Sequence, residues 1–201
     1  MHIVGILLAA GSSVRFGGDK LLEPLPNAAG DCEAGTPIGV AACRHLGLAV
    51  SAVHAVVRPG DTVLATMLRD AGARVVECAR AEEGMGASLA CGVQPVPDAD
   101  GWLIALADMP WILPSTIHLL ASALTAGADI VAPFYNGERG HPVGFARRHY
   151  AALAALTGDE GARAVLLANR ATLHLVTTDD PGVMRDVDTR SELFGTSDSA
   201  H

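Results

Sequence analysis

Ile3-Val4-Gly5-Ile6-Leu7-Leu8-Ala9-Ala10-Gly11-Ser12-Ser13-Val14-Arg15-Phe16-Gly17-Gly18-Asp19-Lys20 passes directly from an apolar run into a polar, Gly-rich loop. Ile3–Ala9 shows no apolar/polar alternation, which predicts a first strand covered on both faces, as in a parallel sheet. The small residues that follow leave backbone N–H groups open to an anion at low steric cost. Arg15 and Lys20 add a forked, planar cation and a compact one. A polyphosphate site is the expectation; a tight turn with incidental surface charges is the alternative. The spacing matches neither the P-loop G-K-[ST] nor the dinucleotide G-x-G-x-x-G.

The rest of the chain alternates short β-branched runs with Ala/Leu-rich stretches, the pattern of βαβ units. Strands are expected at Ala52–Val57, Arg74–Glu77, Gly101–Ala107, Ile130–Pro133 and Leu173–Thr177. Helices are expected over Pro37–Leu48, from the N-cap Asp61 to Ala71, from Gly84–Gly86 to about Val93, and from Pro114 to about Ala126. Two more are expected over about Arg147–Leu156 and Gly161–Asn169. Asn136-Gly137 between apolar flanks signals a hairpin, so Val131–Tyr135 and Pro142–Ala146 are expected to pair antiparallel in a mixed sheet. Asn27–Gly35 reads as a flexible insertion, and 195–201 as a frayed, disordered tail. With no repeat and no linker, residues 1–201 read as a single domain.

Composition narrows the function. Half of the chain is apolar, 4% is aromatic and mean hydropathy is +0.32, which is ample for a core. Fourteen basic against 22 acidic residues give −8, with a pI near 5.4. An acidic, aromatic-poor chain lacks both the counter-charge and the stacking platforms of a nucleic-acid binder, and lacks the basic face for an anionic membrane. Cys32, Cys43, Cys78 and Cys91 form no C-x-x-C pair, so reduced thiols in a cytoplasmic protein are expected. Met1–Ala10 has no basic n-region and reads as a strand, not as a signal peptide.

The string L-A-A-G-x-S-x-R-F-G-x-x-K closely resembles the nucleotide-binding signature of the MobA-like nucleotidyltransferases of the molybdenum cofactor, with the cytidylyltransferase branch the best match. Gly84-Met85-Gly86-Ala87-Ser88-Leu89, Leu106-Ala107-Asp108-Met109-Pro110, Gly140-His141-Pro142-Val143, Gly158-Asp159-Glu160-Gly161-Ala162-Arg163 and Asp186-Val187-Asp188-Thr189 follow in the family's order and span nearly the whole chain. The resemblance implies a three-layer α/β/α fold with a mixed, mostly parallel sheet, like nucleotide-diphospho-sugar transferases. It implies transfer of CMP from CTP to the phosphate of a pterin-type molybdenum cofactor, with pyrophosphate released. A molybdoenzyme or its chaperone would be the onward partner.

Within that resemblance Leu8, Ala9, Ala10, Gly11, Ser12, Ser13, Arg15 and Lys20 are the expected nucleotide contacts, joined by Gly84, Met85 and Ser88 at the base. Arg15, Lys20 and Asp108 are the expected catalytic set. Asp108, at the end of a buried strand, suits Mg2+, or Mn2+, shared with substrate phosphates; its alternative is a turn former ahead of Pro110. Asp186 and Asp188 would point to one side of an extended segment, with Asp188 favoured as the second metal acid. The alternative there is Asp188 or Thr189 as cap of a last helix through Ser191–Leu193. The family's Pro after Thr189 is Arg190 here. The methyl of Ala10, where guanine-specific relatives carry Gly, implies CTP by crowding a purine. His141, Asp159 and Arg163 are expected on the acceptor side, with an Asp159–Arg163 ion pair on one helix turn as the plain alternative. Trp102 is expected in the core and Trp111 as a pocket wall. The pattern also accommodates a guanylyltransferase, a sugar- or alditol-phosphate nucleotidyltransferase, or a non-catalytic carrier of the cofactor.

Overall fold

The computed structural model describes residues 1–11 and 16–194; Ser12, Ser13, Arg15 and the expected tail 195–201 lie outside the described residues. Eight strands form one sheet: β1 Ile3–Leu8, β2 Ala52–Val57, β3 Arg74–Glu77, β4 Gly101–Leu106, β5 Ile130–Tyr135, β6 Glu138–Arg139, β7 Val143–Ala146 and β8 Leu173–Thr177. Their order is β3-β2-β1-β4-β7-β5-β6, with β8 on the other side of β5. β3, β2, β1 and β4 run parallel, β7 is antiparallel to both β4 and β5, and β8 is parallel to β5. The mixed sheet expected from Asn136-Gly137 is therefore present. Asn136 (φ 48°) and Gly137 (φ 87°) make the turn, and Phe134 and Tyr135 pair with Arg139 and Glu138 across it.

Among the described residues the α-helices are α1 Ile38–Gly47, α2 Thr62–Asp70, α3 Met85–Val93, α4 Pro114–Thr125, α5 Tyr150–Ala154, α6 Arg163–Ala168 and α7 Arg190–Phe194, joined by short 3-10 turns. Successive strand residues point to opposite faces, and the core divides accordingly. Ile3, Leu7, Val53 and Leu103 pack with Leu46, Leu68 and Leu120 of α1, α2 and α4. Val4, Ile6, Trp102 and Phe145 pack with Leu89, Leu153 and Val165 of α3, α5 and α6. The result is the expected three-layer arrangement, with Trp102 fully buried. The small residues at the contacts set the spacing. A Cβ on Gly5 would meet Leu46 Cδ2 at 2.7 Å, and one on Gly92 would meet Ile6 Cγ2 at 2.5 Å.

Three expectations are corrected. Asn27–Gly35 is not a loose insertion: Ala29 and Cys32 are buried and exchange backbone hydrogen bonds of 2.9 Å. The segment closes on itself and satisfies its own polar groups. Asp61 stands at the head of α2, but its carboxylate accepts from Arg58 Nε (3.3 Å) and makes no cap bond. The thiols are not all reduced: Cys78, one residue past β3, is joined by a disulfide to Cys91 of α3 across a Cα–Cα distance of 5.8 Å. The pairing depends on α3 lying over the end of β3, which no Cys spacing records. Cys32 and Cys43 remain buried free thiols, and burial pushes Cys43 up to about 11.

Candidate active site

Parallel α/β sheets bind ligands beyond the carboxyl ends of their strands, where strand order reverses. Here that point lies between the adjacent strands β1 and β4, whose carboxyl ends lead into Ala9–Gly11 and Asp108. Beyond it, Leu8, Ala10, Gly11, Gly84, Met85 and Ser88 line a cleft of about 510 Å³, with Asp108 and Asp159 on its wall. Ala10, buried apart from this face, contributes to that lining. Ala9 is buried and lines a smaller neighbouring pocket with Lys20. Arg58, directly after β2, lines both spaces and was not singled out from the sequence; its place at the end of a strand adjacent to β1 was the available signal.

The Gly-Met-Gly turn before α3 has a steric reason. Gly84 has φ 120°, and a Cβ there would meet the Gly158 backbone at 2.7 Å; one on Gly86 would meet the Thr157 carbonyl oxygen at 2.6 Å. Gly86 N–H instead donates to the Gly158 carbonyl (2.7 Å), which brings the 157–159 loop against the α3 side of the cleft. Ser88 is 5% exposed and its hydroxyl donates back to the Gly84 carbonyl (3.3 Å).

Three carboxylates meet at the other end. Asp108, Asp186 and Asp188 each offer an oxygen within 4.8 Å of the others. Asp186 and Asp188 share a side because Val187 between them is fully buried, while Val187 N–H donates to the Asp108 carbonyl (2.9 Å). Lys20, only 8% exposed, donates from Nζ to Asp108 Oδ2 (2.8 Å) and lies 3.7 Å from Asp188 Oδ1. Asp108 Oδ1 is buried and accepts no hydrogen bond from the described residues. Burial, then repulsion from Asp188 and Asp108, raises the Asp186 carboxyl above its usual value, against its own backbone N–H and Lys20. The capping alternative for Asp188 falls to its neighbour. Thr189 Oγ1 accepts from Glu192 N–H (3.3 Å), and Glu192 Oε2 accepts from Thr189 N–H (2.7 Å) and Asp188 N–H (2.8 Å). That is a capping box at the head of α7, so the Asp188 carboxylate is turned to the acid cluster.

A second cleft of about 490 Å³ shares Leu8, Met85 and Leu106 with the first, so Met85 stands between them. Its floor is apolar (Leu89, Ile104, Phe145) and its rim carries Arg139, His141, Glu160 and Arg163. Asp159 and Arg163, expected together, are separated: Asp159 faces the first cleft and Arg163 the second, because α6 begins only at Arg163. Among the described residues no ion pair joins them. His141 lines the second cleft, donates its N–H to the Val183 carbonyl (2.9 Å), and precedes a cis Pro142. Burial and Arg139 lower its imidazole to about 4, against Asp108, so it is neutral near pH 7. Trp111 lines neither cleft; it carries the Arg185 guanidinium 3.5 Å above its ring.

An α/β sheet with a nucleotide-sized cleft at its switch point and clustered oxygen donors beside it defines a nucleotidyltransferase class of site. The chain belongs to the MobA-like NTP transferase domain family, whose model matches residues 5–173. It is 30% identical over 196 residues to the purine catabolism protein PucB of Bacillus subtilis (strain 168), covering 95% of this chain and 94% of that protein. The crystal structure of Rv0371c from Mycobacterium tuberculosis H37Rv is 28% identical, with 96% of both chains covered and a TM-score of 0.78. A further structure of that protein is a complex with manganese (24% identity, 100% of both chains, TM-score 0.76). A nucleotidyl transferase from Methanothermobacter shares the fold at 20% identity, covering 96% of this chain and 94% of that one, with a TM-score of 0.79.

Proposed function

We propose that the protein transfers CMP from CTP to the terminal phosphate of a pterin-type molybdenum cofactor, releasing pyrophosphate. The observation that carries this reading is the three-acid cluster beside the cleft that Ala10 and Gly84–Ser88 line. The acceptor phosphate oxygen forms a bond to the α-phosphorus, the bond from that phosphorus to the bridging oxygen breaks, and the electron pair leaves on pyrophosphate. Such a transfer needs positioning and charge neutralisation more than a covalent catalyst.

The donor set fits a hard divalent cation: three carboxylates in reach of one another, with Asp108 Oδ1 buried and without a hydrogen-bond partner among the described residues. Asp108 with Asp188 and Asp186 would hold Mg2+ or Mn2+, and the manganese complex of the related Rv0371c agrees with that choice. Bound there, the cation would neutralise charge on the nucleotide phosphates. Lys20, held against the acids, supplies a cation to the leaving pyrophosphate, and Arg58 extends the positive wall. The family signature assigns Arg15 to the same task. Gly11 offers backbone N–H, and the Ala10 methyl favours cytosine over a purine by ~1–3 kcal/mol. The second cleft, with an apolar floor and Arg139 and Arg163 on its rim, receives a flat anionic acceptor.

A panel of CTP, GTP, UTP, ATP and dTTP with Mg2+ or Mn2+, read as thermal shift and then as pyrophosphate release with candidate acceptors, tests this. CTP should give the largest shift. A larger shift with GTP would make the chain a guanylyltransferase. CTP binding with no pyrophosphate release on any pterin or sugar phosphate would favour a carrier.

A further inference from the structure

Asp180 accepts three hydrogen bonds near the site, yet it is not one of the residues that line either cleft or form the acid cluster. It is 4% exposed. Its Oδ2 accepts from Leu113 N–H (2.9 Å) and from Thr116 Oγ1 (2.8 Å), and its Oδ1 accepts from Gly182 N–H (2.9 Å). Its own N–H donates to Thr178 Oγ1 (3.2 Å). Among the described residues no lysine or arginine pairs with it, so these donors alone compensate a buried charge.

The groups it joins belong to different parts of the site. Leu113 and Thr116 lie at the head of α4, at the end of the loop that starts at Asp108. Gly182 opens the strap 181–188 that carries Asp186 and Asp188. The strap lies against that loop: a Cβ on Gly182 would meet Ile112 N at 2.8 Å, and Val187 N–H donates to the Asp108 carbonyl. Val183 O meanwhile accepts from His141 N–H, on the acceptor side. The Asp108 loop and the acid-bearing strap are distant in sequence, and Asp180 ties them with side-chain hydrogen bonds while the backbone contact at Val187 completes the register.

We propose that Asp180 is a positioning residue that clamps the strap to the Asp108 loop and so sets the spacing of the three carboxylates for a divalent cation. This rests on the reading of Asp108, Asp186 and Asp188 as the metal site. The carboxylate suits the task because two oxygens can accept three donors at once. In Asp180→Asn one oxygen becomes an NH2 group, so either Gly182 N–H or the Leu113/Thr116 pair faces a donor, and one side of the clamp opens.

The test titrates Mn2+ alone into the full chain and reads free Mn2+ by electron paramagnetic resonance, with thermal unfolding in parallel. Asp180→Asn should weaken Mn2+ binding by roughly tenfold, as loss of a residue that orients metal ligands does, at a temperature where the variant is folded. Asp108→Asn should abolish it. A Kd for Asp180→Asn within twofold of wild type, with Asp108→Asn still defective, overturns the clamp and leaves the metal site standing. Wild-type protein that takes up no Mn2+, or Asp108→Asn that binds like wild type, overturns the metal reading and the clamp with it. Should Asp180→Asn fail to fold, Thr116→Val and Thr116→Ser decide. The first should bind about threefold more weakly, through loss of one hydrogen bond, and the second should not; equal affinities overturn the clamp.

Discussion

Two carboxylate sites sit at opposite strand ends of the same sheet and are built on opposite terms. At the amino end of β5, the single acid Asp129 is 9% exposed; Arg148, Thr172 Oγ1 and His149 (2.7 Å) all bond it. Burial raises its carboxyl, but hydrogen bonds from Arg148, Thr172 and His149 outweigh that and hold it below the usual carboxylate range. At the carboxyl end of β4, three acids gather beside Lys20, Asp108 Oδ1 accepts no hydrogen bond among the described residues, and Asp186 is raised. Donor excess makes a structural latch, which ties the start of α5 and β8 to β5. Carboxylates gathered within reach of one another suit a cationic ligand.

The contrast breaks most visibly if Asp108 behaves as a latch. Asp108→Ala should lower pyrophosphate release by about 10²–10³-fold, the scale on which a lost electrostatic contact to the transition state acts. Its melting temperature should fall less than that of Asp129→Ala, because Lys20, which loses its 2.8 Å bond to Asp108, still lies 3.7 Å from Asp188. Asp129→Ala should do the reverse. Leaving His149 and the Thr172 hydroxyl without their acceptor should cost about 3 kcal/mol, or roughly 6–12 °C in melting temperature. Nucleotide KM measured well below that temperature should not move. An Asp129 variant that is stable but inactive would erase the distinction.

His141 sharpens the comparison through pH. It is neutral when folded, with a value near 4, and would titrate near 6.5 when unfolded, so the unfolded chain takes up the proton first. Stability is therefore fully present above about pH 6.5 and is lost as pH falls towards 4. From that gap the loss reaches roughly 3 kcal/mol. Denaturant unfolding of the metal-free protein should show it, and His141→Phe should flatten the profile. The smallest effect is expected at Glu192, whose carboxylate caps α7 and holds the Asp188 backbone. Glu192→Ala should cost about 1 kcal/mol as a lost cap. It should weaken Mn2+ binding less than Asp180→Asn does, because Val187 still pins the strap.

Local pattern and tertiary packing contribute differently along the chain. Ile3–Leu8, Ala52–Val57, Arg74–Glu77 and Leu173–Thr177 are legible as strands, and α1 to α4 as helices, because apolar continuity and turn residues are properties of neighbours in sequence. Asn136-Gly137 even announced the antiparallel insertion. Asp108 after β4 and the paired Asp186 and Asp188, which the structure brings together, stood out for the same reason: each lies in a short motif on one element. That Asp159 and Arg163 line different clefts was not legible, because it depends on α6 starting only at Arg163.

What only the tertiary structure decided are the meetings between distant elements. Lys20 reaches Asp108, Gly84 makes room for the 157–159 loop, Cys78 joins Cys91, and Asp180 bridges Leu113, Thr116 and Gly182. Spacing along a chain sets which face a side chain takes on its own element. Which group stands opposite it follows from sheet order and from how closely the layers approach, and these depend on the whole core at once.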